Sequence, residues 1–121
     1  MTFKLIKEQV MFQTNNDASD LSDFAPHLTD YINEGYDLLL YAEFGVHVGD
    51  TGYAALSLDA DVPATSAWTH RALADYGTWM VYRNGNPLKQ QRGYAFNNAF
   101  MDVYNKVRSK QGQTVTFTNL Y

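Results

Sequence analysis

Apolar and polar residues alternate from the start of the chain. Between positions 3 and 13, Phe3, Leu5, Lys7, Gln9 and Met11 interleave with Lys4, Ile6, Glu8, Val10 and Phe12. That period of two, rich in Ile, Val and Phe, predicts a strand. The polar run 14–20 reads as a turn because Asn and Asp dominate it. The period then lengthens. Leu21, Phe24, Ala25, Leu28, Tyr31 and Ile32 recur every three or four residues, which predicts a helix with one apolar face. Ser19 can cap its start and Gly35 can end it. Pro26 moves the true start towards Ala25, since proline is costly inside a helix.

Residues 36–48, "YDLLLYAEFGVHV", return to alternation. Leu38, Leu40, Ala42, Phe44, Val46 and Val48 take one face, with Leu39, Tyr41, Glu43, Gly45 and His47 on the other. Residues 53–60, "YAALSLDA", supply an antiparallel partner. A turn at Asp50-Thr51 then pairs Val48 with Tyr53, His47 with Ala54 and Glu43 with Leu58. A second helix is predicted over 61–77, with Asp61 as N-cap, Pro63 in the first turn and Gly77 as its end. Its apolar side is Ala64, Ala67, Trp68 and Ala72.

The dipeptide Asn84-Gly85 between strand-like arms predicts a second hairpin, opposing Arg83 to Asn86 and Val81 to Leu88. Phe96, Ala99, Phe100, Val103, Tyr104 and Val107 predict a third helix, closed by Gly112, and 114–121 read as a last strand. The expected order is β-α-ββ-α-ββ-α-β. That is an α+β fold, a mainly antiparallel sheet of about six strands with three helices packed on it, in a single domain spanning 1–121.

Composition narrows the class. In 121 residues, 45% are hydrophobic and 15% aromatic, which suits a folded core. The chain has no cysteine, so disulfides, thiolate metal sites and cysteine nucleophiles are excluded. No stretch reaches the roughly 18 apolar residues of a membrane span, and the first residues do not read as a signal peptide. A soluble cytoplasmic protein is the expectation.

Charge is unevenly spread. Residues 1–61 hold two lysines and eleven carboxylates, a net −9, whereas 62–121 hold seven basic residues against Asp75 and Asp102, a net +5. Such asymmetry marks a partner surface, or two halves that neutralise each other on folding. Nine tyrosines suit core borders and interfaces alike.

The densest candidate chemistry is "GVHVGDTGY" at 45–53. His47 and Asp50 could form a base and its orienter. The hairpin explains the same residues as a tip, with Asp50 bonding its local backbone and the glycines supplying freedom. His27 and His70 lie on other elements, and a metal site from His47, His70, Asp59 and Asp61 lacks any recognised spacing. Ser57 and Ser66 lack a nucleophile motif, and no phosphate-binding glycine pattern is present. Arg83 and Arg92 share a hairpin face with Trp79 while Lys89 shares the other with Tyr82, too thin a stripe for nucleic acid.

The sequence therefore points to a non-enzymatic binding module, with no cofactor or metal. Its expected partner is a protein or a second copy of itself. One form of this is an acidic-surface inhibitor of a basic, nucleic-acid-binding protein. Tyr41, Tyr53, Trp79, Tyr82 and Arg83 are the expected partner-binding residues. The competing expectation is a small enzyme with an acid–base site near His47, Asp50 and His70, and convergence of those three side chains distinguishes the two.

Overall fold

The computed structural model describes residues 1–14 and 25–119, with side-chain surroundings up to Lys110. Among the described residues four α-helices carry the fold: α1 Phe3–Gln13, α2 Leu28–Phe44, α3 His70–Arg83 and α4 Pro87–Asn119. Short 3-10 turns, Ala25–His27 and Ala67–Thr69, lead into α2 and α3. No strand occurs among the described residues, so the expected α+β sheet is replaced by helices packed on helices.

The centre is α3. Ten of its fourteen residues are buried, all but the single stripe Arg71, Asp75, Trp79 and Arg83, so its neighbours enclose it on the remaining sides. Helix α1 lies parallel to it, with Met1 at His70 (2.8 Å) and the Gln13 carbonyl accepting from the Tyr82 hydroxyl (3.2 Å). Helix α2 runs antiparallel, since Glu34 meets Tyr76 and Glu43 meets Ser66. Helix α4 is antiparallel too: Phe100 packs on Tyr76, and the Lys110 ammonium sits 4.5 Å from the Trp68 ring centre. Helices α2 and α4 are consequently parallel and adjacent.

Each misplaced strand has a local reason. In α1 the residues Phe3, Ile6 and Val10 are the buried ones, a spacing of three and four hidden within the apparent alternation. The Thr2 hydroxyl caps the helix by accepting from the Leu5 N–H (3.3 Å). The supposed strand 36–44 continues α2, whose buried residues Leu28, Ile32, Tyr36, Leu39 and Leu40 keep one helical face. Residues 78–83 belong to α3, and Asn84-Gly85 turns one helix into the next rather than joining strands. There the Asn86 side chain accepts from the Lys89 N–H (3.0 Å), which makes it the N-cap of α4 with Pro87 as first residue. Helix α4 passes through Gly112 to Asn119, so no strand forms over 114–119. The Ser19 cap, most of the 14–20 turn, Leu21, Phe24 and the last two residues lie outside the described residues.

Glycines read as stops are crossing points. A Cβ on Gly35 would lie 2.9 Å from the Tyr76 ring, and one on Gly77 would lie 3.0 Å from Val10 Cγ2 and 3.3 Å from Ile32 Cγ1. Backbone contact at these places lets α1 and α2 approach α3 closely.

Between α2 and α3 the chain forms a long irregular connection. Asn33 holds its middle, donating to the Leu56 carbonyl (2.9 Å) and accepting from the Leu56 N–H (2.8 Å). Its far end covers the start of α1: the Asp61 and Asp59 carbonyls accept from the Phe3 (2.7 Å) and Lys4 (3.1 Å) N–H groups. These are among the donors a helix leaves unsatisfied at its first turn. Asp61 is therefore no helix cap. Its carboxylate accepts from the Ser57 and Leu58 N–H groups, and those bonds hold its pKa below the ordinary value.

A polar seam joins the end of α1 to α3. Gln13 donates to the Asp75 carboxylate (3.0 Å) and accepts from the Thr78 hydroxyl (2.8 Å). Burial raises the Asp75 pKa above 3.8, against the Gln13 bond and the charge of Arg71. Between 3.8 and that raised value the folded state keeps a proton that the unfolded chain has released. Stability therefore falls as pH rises through this window. Asp75→Asn retains the acceptor for Gln13 and removes the charge. Urea melts are expected to show the variant more stable than wild type at neutral pH, with the advantage gone below 3.8. Equal melts at neutral pH would mean that the charge-assisted bond offsets burial, and a less stable variant that it outweighs it.

Candidate functional site

The expected acid–base site does not assemble as one centre. His47 and Asp50 do meet, in a tight turn where the Asp50 carboxylate accepts from the His47 N–H (2.8 Å). The turn is closed by Asp50 N–H to His47 carbonyl (3.0 Å) and Tyr53 N–H to Asp50 carbonyl (2.9 Å). Strands do not flank it, so it is part of the irregular connection and not a hairpin tip. The His47 ring stacks on Tyr41 (5.0 Å between centres, 17°), and its Nδ1 lies 3.1 Å from Asp37 Oδ1. His70 takes different partners: it is buried, with Nδ1 at the Met1 amine and Nε2 2.9 Å from the Thr65 carbonyl.

Among the described residues of the acidic half, most carboxylates have structural duties. Glu34 accepts from the Tyr76 hydroxyl (2.7 Å), and burial with this bond pushes the Tyr76 pKa far above the ordinary phenol value. Asp37 holds His47 and the Val48 N–H (2.9 Å), and Glu43 accepts from both the N–H and hydroxyl of Ser66. Asp59 pairs with Lys7 at 2.9 Å. Carboxylates suit these tasks because the connection offers many backbone donors. Among the described residues no three His, Asp or Glu side chains gather as metal ligands, and no helix is long and apolar enough to cross a membrane.

The expected partner residues disperse. Tyr82 is buried, and Trp79 is partly buried beside Tyr94 with ring centres 5.4 Å apart. Both sit on α3, not on a hairpin. Arg83 ends α3, close enough to Tyr31 and Tyr76 to lower their otherwise raised pKa values. Tyr53 packs near Phe44 (5.9 Å) and lines a cavity of about 210 Å³ with Tyr36, whose hydroxyl accepts from the Ala64 N–H (2.9 Å).

Tyr41 is the exception, for it stands 58% exposed on the wall of a groove between α2 and α4. One part of that groove, about 220 Å³, is lined by Leu38, Phe100, Met101 and Tyr104. The adjoining part, about 380 Å³, is lined by Tyr41, Ala42, Tyr104 and Arg108. Arg108 lies over the Tyr104 ring at 5.7 Å. Leu38, Met101 and Arg108 were not among the expected site residues. Their signal is helical spacing: 41 and 42 each one turn after 38 on one wall, and 101, 104 and 108 at successive turns on the other.

Comparison with known proteins adds no relative: no family model, curated protein or solved structure matches this chain.

Proposed function

We propose that this protein is a non-enzymatic interaction module that holds an amphipathic helix in the groove between α2 and α4. One observation carries the reading: Leu38, Tyr41 and Met101 are exposed along two parallel helices over a floor of Phe100 and Tyr104. Contiguous exposed apolar surface on a small domain marks a binding site more often than chance scatter does. A channel between helices accepts residues spaced i, i+3/i+4 and i+7 from a third helix. Aromatic and Arg side chains at its centre are the types that dominate binding energy. The enzyme alternative is the weaker reading, because His47 and Asp50 are tied to one turn while His70 is buried against Thr65.

Display selection of helical peptides on the wild-type protein tests the proposal, with Met101→Asp as counter-target. Peptides with apolar residues at that spacing are expected to bind wild type and to lose at least tenfold on Met101→Asp. Peptides that bind both proteins equally, or a selection that enriches none, would overturn it.

A further inference from the structure

Helix α1 is apolar on two sides. Phe3, Ile6 and Val10 face the core, while its exposed positions are Lys4, Leu5, Glu8, Met11 and Phe12. Leu5, Glu8 and Phe12 fall at i, i+3 and i+7, so they form one outward ridge, with Met11 beside it. Phe12 is 76% exposed, the highest value among the large apolar side chains of the described residues. The molecule thus carries an apolar ridge on α1 and, separately, an apolar groove between α2 and α4.

Resting on the reading of the groove as a helix-binding site, we propose that its occupant is the α1 ridge of a second copy of this chain. Size fits. The apolar part of the groove, about 220 Å³, exceeds the roughly 150 Å³ that admits benzene elsewhere, so it takes the Phe12 ring. Charge fits in one direction only. The ridge has Glu8 at its middle, one turn before Phe12. The groove has Glu34 at the end where Tyr76 meets Phe100, and Arg108 at the other. With Phe12 seated against Leu38, Phe100 and Met101, docking antiparallel to α2 and α4 carries Glu8, one turn from Phe12, towards Arg108 of the second copy. Docked parallel, the same seat carries Glu8 towards Glu34, and like charges meet. The Glu8–Arg108 pair therefore sets the direction.

Ridge and groove are different surfaces, so the contact is head-to-tail. Such a contact leaves a free ridge at one end and a free groove at the other, and it continues into a ring or an open chain of copies.

Sedimentation across concentration and salt tests this with the full chain. Wild type is expected to grow beyond a dimer with concentration, less so at high salt. Phe12→Asp and Met101→Asp, each checked for native helicity, are each expected to stay monomeric. Mixed together they are expected to form a one-to-one dimer and nothing larger, because one keeps its groove and the other its ridge. Glu8→Lys is expected to weaken assembly several-fold, and Glu8→Lys with Arg108→Glu in the same chain to restore it. A wild type monomeric at every concentration overturns the proposal, as does a mixture that remains monomeric or a Phe12→Asp protein that assembles normally. If wild type is monomeric while helical peptides still enter the groove, the second copy is refuted as occupant and the groove's role stands.

Discussion

Phe100→Ala is expected to destabilise the protein by about 3–5 kcal/mol, the usual cost of removing a buried phenylalanine. The ring is 1% exposed and lies between two tyrosines, with centres 4.8 Å from Tyr76 and 6.2 Å from Tyr104. Truncation removes one of the aromatic contacts between α4 and α3, the one that continues through Tyr76 to Glu34 on α2. A domain of this size is stable by about 5–15 kcal/mol, so the loss is a large fraction of the whole. It also empties the floor of the groove, and helical peptides are expected to bind the variant poorly even where it remains folded. His47→Ala is the comparison. That ring is exposed, and its pairing with Asp37 is a surface contact, worth at most about 1 kcal/mol. Urea melts of both variants decide the matter. If Phe100→Ala melts like wild type while His47→Ala unfolds, the core is placed on the wrong side of α4.

Where the sequence could be read and where it misled follow from the same physics. The stretch 96–107 was legible because Phe96, Phe100, Val103 and Val107 leave no alternation to compete with the helical period. In 36–44 the apolar residues are nearly continuous, and a continuous run satisfies periods of two and 3.6 alike. The choice then fell to Gly35 as a boundary. Gly35 is instead where the Tyr76 ring lies against the α2 backbone, a demand set by a residue 41 positions away and unreadable locally. Asn84-Gly85 is ambiguous in the same way, since the dipeptide serves helix ends as well as hairpins. Asn86-Pro87 next to it is a cap followed by a first-turn proline, a local sign of the helix that does begin there.

The candidate site was legible only in part. Asp50 was expected to bond its own turn, and it does so through the His47 N–H. Tyr41 was expected at a binding surface and stands on the groove wall. Its companions Leu38, Met101 and Arg108 could not be grouped with it, because the groove exists only once α2 and α4 are known to lie side by side. Part of the charge asymmetry has a structural use. The long connection after α2 contains no lysine or arginine, and carboxylates such as Asp50 and Asp61 hold it by accepting from its backbone.

Gly77→Leu is expected to damage the fold severely. The Cβ alone would lie 3.0 Å from Val10 on α1, 3.3 Å from Ile32 and 3.8 Å from Leu28 on α2. Val10 and Ile32 are fully buried and branched, so neither can swing away from the remaining three carbons of the leucine. Overpacking typically costs about 1–3 kcal/mol where a core can adjust. Here α1 and α2 would both have to move off α3, and the expected loss is at or above the top of that range. Helix propensity works the other way, because leucine is favoured over glycine by nearly 1 kcal/mol within a helix, so the outcome reports on packing. Gly45→Ala is the control. Gly45 ends α2 with φ of 71° and nothing within 4 Å of a Cβ, so only backbone strain of about 1–2 kcal/mol is expected. Thermal or urea melts should rank Gly77→Leu far below Gly45→Ala. The reverse order would mean that Gly77 ends a helix at the surface, as the sequence first suggests, and that α1 and α2 do not meet on α3.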